Sequence, residues 1–283
     1  MLPATKALPK EMMPIVDKPA IQYIIEELVD AGIEDILIIT GRGKRAIEDH
    51  FDRNVEIYQA LEEREDRAML ETLERIEKLA DIHYVRQKDP LGTGHAILKA
   101  RKHIGDEPFA VLYGDDLVVS ERPGIGQLMD QYEKYSASIL AVKEIPLERV
   151  GSYGVIQGKR INDVYLVERL VEKPSPREAP SNLATLGRYI FEPEIFEFLE
   201  RISPSPSGEY QLTDAIQMMI QQRAVYACAI KGEWHTVGDL LSYLKTTVSF
   251  SLKHPIIGEA FQSFLRSTQK GLMPEAEAAP RQG

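Results

Sequence analysis

Apolar residues recur at Ile21, Ile24, Ile25, Leu28 and Val29 within "DKPAIQYIIEELVDAGI", the three-and-four spacing that puts one side of a helix into a core. Asp17 stands where an N-terminal cap belongs and Gly32 where a helix stops, so a helix is predicted between them. "DILIIT" follows, a continuous apolar run read as a strand buried on both faces, and "IHYVRQ" and "FAVLYGDD" repeat the pattern with helical stretches between. Strands alternating with helices predict a parallel, doubly wound sheet. From Glu56 to Leu79 the stripe Ile57, Leu61, Leu73, Ile76 and Ala80, set among acids and bases, predicts one amphipathic helix laid over that sheet.

From Ser138 the texture changes. "SILAVKEI", "YGVIQG" and "VYLVERLVEKP" lie close together with short Gly- or Asn-containing turns, which predicts an antiparallel extension rather than further βαβ units. The loops "KPSPREAPS" and "SPSPSG" come next, then a helix from about Gly238 to Lys253, and "STQKGLMPEAEAAPRQG" has the composition of a loose tail. At the other end, "MLPATKALPKEMMPIVDKP" sets Lys6, Lys10 and Lys18 among four prolines. It is too proline-rich for a helix and too basic for a core, and reads as a functional loop.

Composition narrows the class. With 283 residues, 43% of them hydrophobic and 28% charged, the chain fits one compact α/β unit rather than a disordered or fibrous protein. A net charge of −10 without a Lys/Arg block argues against nucleic acid as partner but leaves room for a small anion held by a few lysines. No apolar run approaches the roughly 20 residues that span a bilayer, so a cytoplasmic protein without a membrane partner is expected. Cys228, in "AVYACAI", reads as a buried small hydrophobe.

The candidate chemistry sits at predicted strand ends. "FAVLYGDD" places Asp115 and Asp116 at the carboxyl edge of a parallel sheet, where ligands bind in this architecture and where a carboxylate can hold Mg²⁺ beside substrate phosphate oxygens. The competing reading is a turn aspartate, and one member of the pair is expected to be functional. "RQKDPLGTGHAIL" brings Gln87 to a strand end and Gly92 and Gly94 to a helix start, either ordinary turn glycines or a pocket for a pyrimidine edge. In "VEKP", Glu172 and Lys173 would point to opposite sides unless the strand stops there, and a surface ion pair is the alternative. His95 and His235 have no partner spacing for zinc and read as structural.

Taken in order, "LPATKALPKEMMPIVDKPAIQYI", "RQKDPLGTGHAIL", "GDD", "YGVI", "LVEKP", "LGRYIF" and "GEYQLTDAI" resemble the bacterial UTP-glucose-1-phosphate uridylyltransferases, within the sugar-nucleotide pyrophosphorylases. The resemblance runs to about Lys253, so residues 1–253 are expected to form a nucleotidyltransferase domain and 254–283 a C-terminal extension and loose tail. It implies a Rossmann-like, doubly wound mixed sheet, transfer of a uridylyl group from UTP to glucose 1-phosphate, Mg²⁺ as cofactor and a homo-oligomer. Lys10 would neutralise the triphosphate, Gln87 and Gly92 would read the uracil, and Asp115 would hold the metal. Gly154 and Glu172 would contact glucose hydroxyls, Lys173 would hold the sugar phosphate, and Gly187 would belong to the substrate-binding set.

Three departures from the family pattern stand out. Its members carry a strand and a "G-x-G-T-R" loop immediately before the Leu-Pro that is here Leu2-Pro3, so the resemblance implies an internal methionine taken as a start and a sheet lacking its first strand. An aromatic-Asp-x-Gly pattern followed by lysine becomes "WHTVGDLLSYL", with Thr236 in place of the aspartate and Leu240 in place of the lysine. These changes keep open a degenerate paralogue that binds nucleotide sugar or a partner subunit without turnover. A pyrophosphorylase for another nucleotide or hexose phosphate is the remaining alternative.

Overall fold

The computed structural model describes residues 1–272. The basic opening leads through a 3-10 turn at Lys10–Met12 into β1 (Pro14–Ile15) and β2 (Lys18–Pro19), which pair antiparallel. Helix α1 (Ala20–Asp30) buries Ile21, Ile24, Ile25 and Leu28 as the spacing requires. Its cap is Pro19 rather than Asp17: the β1–β2 ribbon carries the chain two residues further before the helix begins, and Asp17 bonds His254 at 3.1 Å instead.

Next come β3 (Asp35–Thr40), α2 (Arg45–Phe51), α3 (Val55–Glu63), α4 (Arg67–Glu77) and β4 (Asp81–Arg86), with β3 and β4 paired in parallel. The single helix expected over 56–79 is therefore two. Glu65 takes a left-handed φ of 56°, and Asp66 accepts from the Met69 amide at 3.1 Å, restarting the helix with its own cap. Strand β3 is also less buried than its apolar run implied, with Leu37 and Ile39 only half-buried, because β4 covers just one of its edges.

The rest of the chain supplies α5 (Thr93–Leu98), α6 (Arg101–Ile104), β5 (Phe109–Leu112), β6 (Asp116–Val119), α7 (Gly124–Tyr135), β7 (Ile139–Glu144), β8 (Gly154–Ile161), β9 (Val164–Glu172) and β10 (Leu183–Phe191). After these follow α8 (Ile195–Leu199), α9 (Leu212–Ile220), β11 (Tyr226–Ala229), β12 (Glu233–Thr236), α10 (Leu240–Lys253) and α11 (Gly258–Leu272). Six strands form one mixed sheet in the order β5-β10-β7-β11-β9-β8, in which only β7 and β11 run parallel. The predicted antiparallel extension is the β8–β9 hairpin joined to β11 and β10. Helices cover both faces: α5, α8 and α9 pack on Phe109, Phe191 and Ile156, while α1, α2 and α7 pack on Ile139, Ala141 and Ile190.

β10 is buried along its whole length although it carries Arg188. That guanidinium is fully buried and donates to both carboxylate oxygens of Glu27 on α1, at 2.8 and 2.5 Å, and to the Asp116 carbonyl at 2.9 Å. A charge inside a core needs such partners, and Glu27 is held in turn by the Ile125 amide at 3.0 Å. Beyond α10, helix α11 occupies part of the stretch expected to be loose, while residues 273–283 of that tail lie outside the described residues. No helix among the described residues is long and apolar enough to cross a membrane.

Candidate active site

The loops at the carboxyl ends of β5 and β9 surround the mouth of a cavity of about 1880 Å³, and Lys10, Gln87, Gly92, Asp115, Gly154, Glu172, Lys173 and Gly187 all line it. Asp115 lies in the turn between β5 and β6. Its carbonyl accepts from the Val237 amide at 2.9 Å and from the Thr236 hydroxyl at 3.2 Å, so the end of β12 pins the turn from behind and leaves the carboxylate to the cavity. There it forms an ion pair with Lys10. Burial alone would lower the Lys10 pKa, but Asp115, with Glu11 and Asp116 beyond it, holds the ammonium above its ordinary value.

Asp116 points inward. Its carboxylate accepts from the Trp234 indole at 3.1 Å, and burial, then the charge of Asp115, push its pKa up against the pull of Arg188. The Asp-Asp pair is thus divided: Asp115 has charge available at the cavity, and Asp116 anchors the turn.

Gln87 follows β4, and its side-chain nitrogen donates to the Gly92 carbonyl at 3.1 Å and lies 2.9 Å from His95 Nδ1. Those two partners occupy both of its N–H groups and leave the amide oxygen as the free pole, so His95, read as structural from the sequence, sets how Gln87 is presented. Gly92 has φ 97°, and a Cβ there would stand 2.7 Å from the Tyr210 carbonyl. Gly94 donates its amide to that same carbonyl at 2.9 Å, so it supplies no free donor to a ligand. The glycines let "LGTGH" and "GEYQL" close on each other at one wall of the cavity.

On the opposite wall Gly154 and Glu172 are direct partners in the β8–β9 ladder. β9 ends at Glu172, and Lys173 turns with a φ of 45°, so both side chains line the cavity instead of alternating, with Nζ 3.4 Å from Glu172 Oε1. At Gly154 a Cβ would meet the Thr185 hydroxyl at 2.9 Å. At Gly187, where β10 bulges between Thr185 and Tyr189, a Cβ would stand 2.5 Å from the Tyr113 ring. Gly187→Ala is expected to destabilise the protein by about 1–3 kcal/mol through overpacking. Urea denaturation with an unchanged midpoint would show that the ring moves aside freely.

Three cations escaped the sequence reading: Lys44, Arg149 and Lys245 all line the cavity. Lys245 follows a residue pattern that reads only as helix, and nothing local marks it. Thr236 spends its hydroxyl on the Asp115 carbonyl and accepts from the Gly238 amide at 3.2 Å. Leu240 opens α10 with 62% exposure and does not line the cavity.

Among the described residues no three His, Cys, Asp or Glu side chains converge as a metal cage. A divalent cation that binds through one or two carboxylates and substrate oxygens has a different requirement, and Asp115, facing the cavity at 19% side-chain exposure, meets it.

The sequence profile of the nucleotidyl transferases matches residues 1–251. The chain belongs to the nucleotidyl transferase family. Within it, the chain is 50% identical over 281 residues to the UTP-glucose-1-phosphate uridylyltransferase of Bacillus subtilis (strain 168), covering 98% of this chain and 94% of that protein. A solved UDP-glucose pyrophosphorylase complexed with UDP-glucose superposes with a TM-score of 0.82 at 41% identity, covering 90% of this chain and 94% of its own. The UTP-bound enzyme from Acinetobacter baumannii gives a TM-score of 0.86 at 36% identity, over 94% of this nucleotidyl transferase and 93% of that one.

Proposed function

We propose that this nucleotidyl transferase moves a uridylyl group from UTP to glucose 1-phosphate, giving UDP-glucose and pyrophosphate. The observation that carries the reading is the placement of Lys10 with Asp115 on one wall of a single cavity and Glu172 with Lys173 on another, two cation sites for two phosphate-bearing substrates. The half-sequence identity to the Bacillus subtilis enzyme supports it.

The chemistry asks little of acid–base groups. An oxygen of glucose 1-phosphate is already a nucleophile; it bonds to the α-phosphorus of UTP as the bond from that phosphorus to the β-phosphate bridge breaks, and pyrophosphate departs with the electron pair. No proton has to move, so the work is alignment and the offsetting of repulsion between two anions. Lys10 neutralises the triphosphate, and Lys173 holds the sugar phosphate. Glu172 accepts from a sugar hydroxyl, Gly154 leaves room for the ring, and Gln87 presents its oxygen to the N–H of a uracil edge. Asp115, with substrate phosphate oxygens, would hold Mg²⁺, which when bound supplies charge neutralisation at the phosphates. A homo-oligomeric assembly, which rests on the resemblance, and the cytoplasmic location expected from the sequence complete the proposal.

Lys173→Ala separates the two phosphate sites. Loss of one charge-assisted hydrogen bond, about 1.5–3 kcal/mol, should raise the dissociation constant of glucose 1-phosphate by about 10- to 150-fold and leave that of UTP nearly unchanged. Calorimetric titration of each ligand reads this out, beside pyrophosphate release by the parent protein. Equal losses for both ligands would contradict the assignment, as would a parent that binds both and turns over neither.

A further inference from the structure

Five Lys or Arg side chains line the cavity, and three of them are already matched by acids: Lys10 by Asp115, Lys44 by Glu11 and Lys173 by Glu172. Each such pair presents little net charge. Arg149 and Lys245 are the other two, and among the described residues neither has a carboxylate ion-pair partner.

The two cations come from different elements. Arg149 stands on the 3-10 turn Leu147–Ser152 that leads into β8, and its Nη2 donates to the Tyr153 hydroxyl at 3.2 Å. Tyr153 is fixed in turn: its ring meets Trp234 edge-on at 4.9 Å, and its carbonyl accepts from the Lys173 amide at 2.9 Å. The guanidinium is therefore carried by the same wall as Lys173. Lys245 lies on α10, where it shares one face with Leu241 and Ser242, and all three line the cavity. Asp239, the cap of α10, connects the two sides. Hydrogen bonds from Ser242 and, less strongly, the charge of Arg149 hold its carboxyl below the ordinary range. Gly238, next to that cap, lies against Asp115, and a Cβ on it would stand 3.5 Å from Oδ2.

We propose that Arg149 and Lys245 together clamp the phosphate group of the sugar phosphate at the mouth of the cavity, adding the net positive charge that the Lys173–Glu172 pair lacks. The inference rests on the reading of this cavity as a site for glucose 1-phosphate. A phosphate monoester carries about −1.5 to −2 charges at pH 7, and two unmatched cations meet that charge where a neutral pair cannot. Arg149 gives one N–H to Tyr153 and keeps the others, and a planar guanidinium fork matches two phosphate oxygens at once. Lys245 adds a point charge on a flexible stem. Charge placed there lets the attacking phosphate approach a second, polyanionic substrate.

The test is calorimetric titration of glucose 1-phosphate and, separately, of UTP into the parent, Arg149→Ala, Arg149→Gln, Lys245→Ala and the double alanine variant. Each alanine change is expected to raise the dissociation constant of glucose 1-phosphate at least about fivefold, and the pair at least about thirtyfold, with UTP within about threefold throughout. Arg149→Gln separates charge from scaffolding: its amide can still donate to Tyr153, so a bracing role would survive the change and a clamp would not. Added salt should weaken binding to the parent more than to the double variant. Circular dichroism checks folding, and should Arg149→Ala unfold, Arg149→Gln and Lys245→Ala carry the test. Parent-like binding by Arg149→Gln or by the double variant, or equal losses for both ligands, would overturn the clamp. A parent that binds another hexose 1-phosphate but not glucose 1-phosphate would overturn the choice of sugar alone, and the clamp then stands or falls on the same variants with that ligand. A parent that binds no hexose 1-phosphate would overturn both.

Discussion

Asp115→Asn should lower UDP-glucose formation by about a hundredfold or more while the protein stays folded. The substitution keeps the size of the side chain and removes its charge. The backbone of the turn is held independently, by the Val237 amide and the Thr236 hydroxyl on the Asp115 carbonyl, so the position of the side chain should survive. What goes is the carboxylate proposed to hold the divalent cation, together with the partner that fixes Lys10. The stability effect should be small, because Lys10 is 41% exposed and ion pairs so placed contribute about 0–1 kcal/mol. Pyrophosphate release at saturating metal, compared with circular dichroism of the same samples, separates the two effects. Activity within about threefold of the parent, under roughly 1 kcal/mol of barrier, would remove Asp115 from the chemistry.

Arg188→Met should cost about 3–5 kcal/mol of stability. The guanidinium has no exposure to water and satisfies Glu27 through two hydrogen bonds, so its removal leaves a buried carboxylate with the Ile125 amide alone. The Asp116 carbonyl also loses its donor, which ties the pair to the turn that carries Asp115. One guanidinium nitrogen, Nη1, has no partner, so the pair is already imperfectly compensated in the parent. Removing both charges should therefore be milder than removing one. Arg188→Met with Glu27→Leu should recover much of the loss, since apolar replacement of a whole buried pair is often neutral. Urea midpoints for the parent, the single and the double variant check this. A double variant no better than the single would mean that shape rather than charge is decisive at Arg188.

Local patterns carried a good deal of this. The i, i+3, i+4, i+7 stripe from Ile21 to Leu28 named the buried face of α1, because helix periodicity is a property of neighbouring residues alone. An apolar run ending in Gly-Asp-Asp located the turn that holds Asp115, and an apolar strand running into "VEKP" placed Glu172 and Lys173 at a strand end. The order of motifs along the chain was enough to indicate the family.

Other features depend on residues far apart in sequence and close in space, and no local pattern carries that information. Arg188 reads as a polar interruption of a strand until Glu27, 161 positions away, is seen to neutralise it. Asp115 and Asp116 are chemically identical neighbours; Trp234 holds the carboxylate of one inward while Arg188 takes its carbonyl, and Lys10, 105 positions from Asp115, meets the other. Gln87 was legible as an amide at a strand end, but the direction in which it points is set by His95 and Gly92. The half-burial of β3 follows from which strands stand beside it, since an apolar run records a preference for being covered and says nothing about what does the covering.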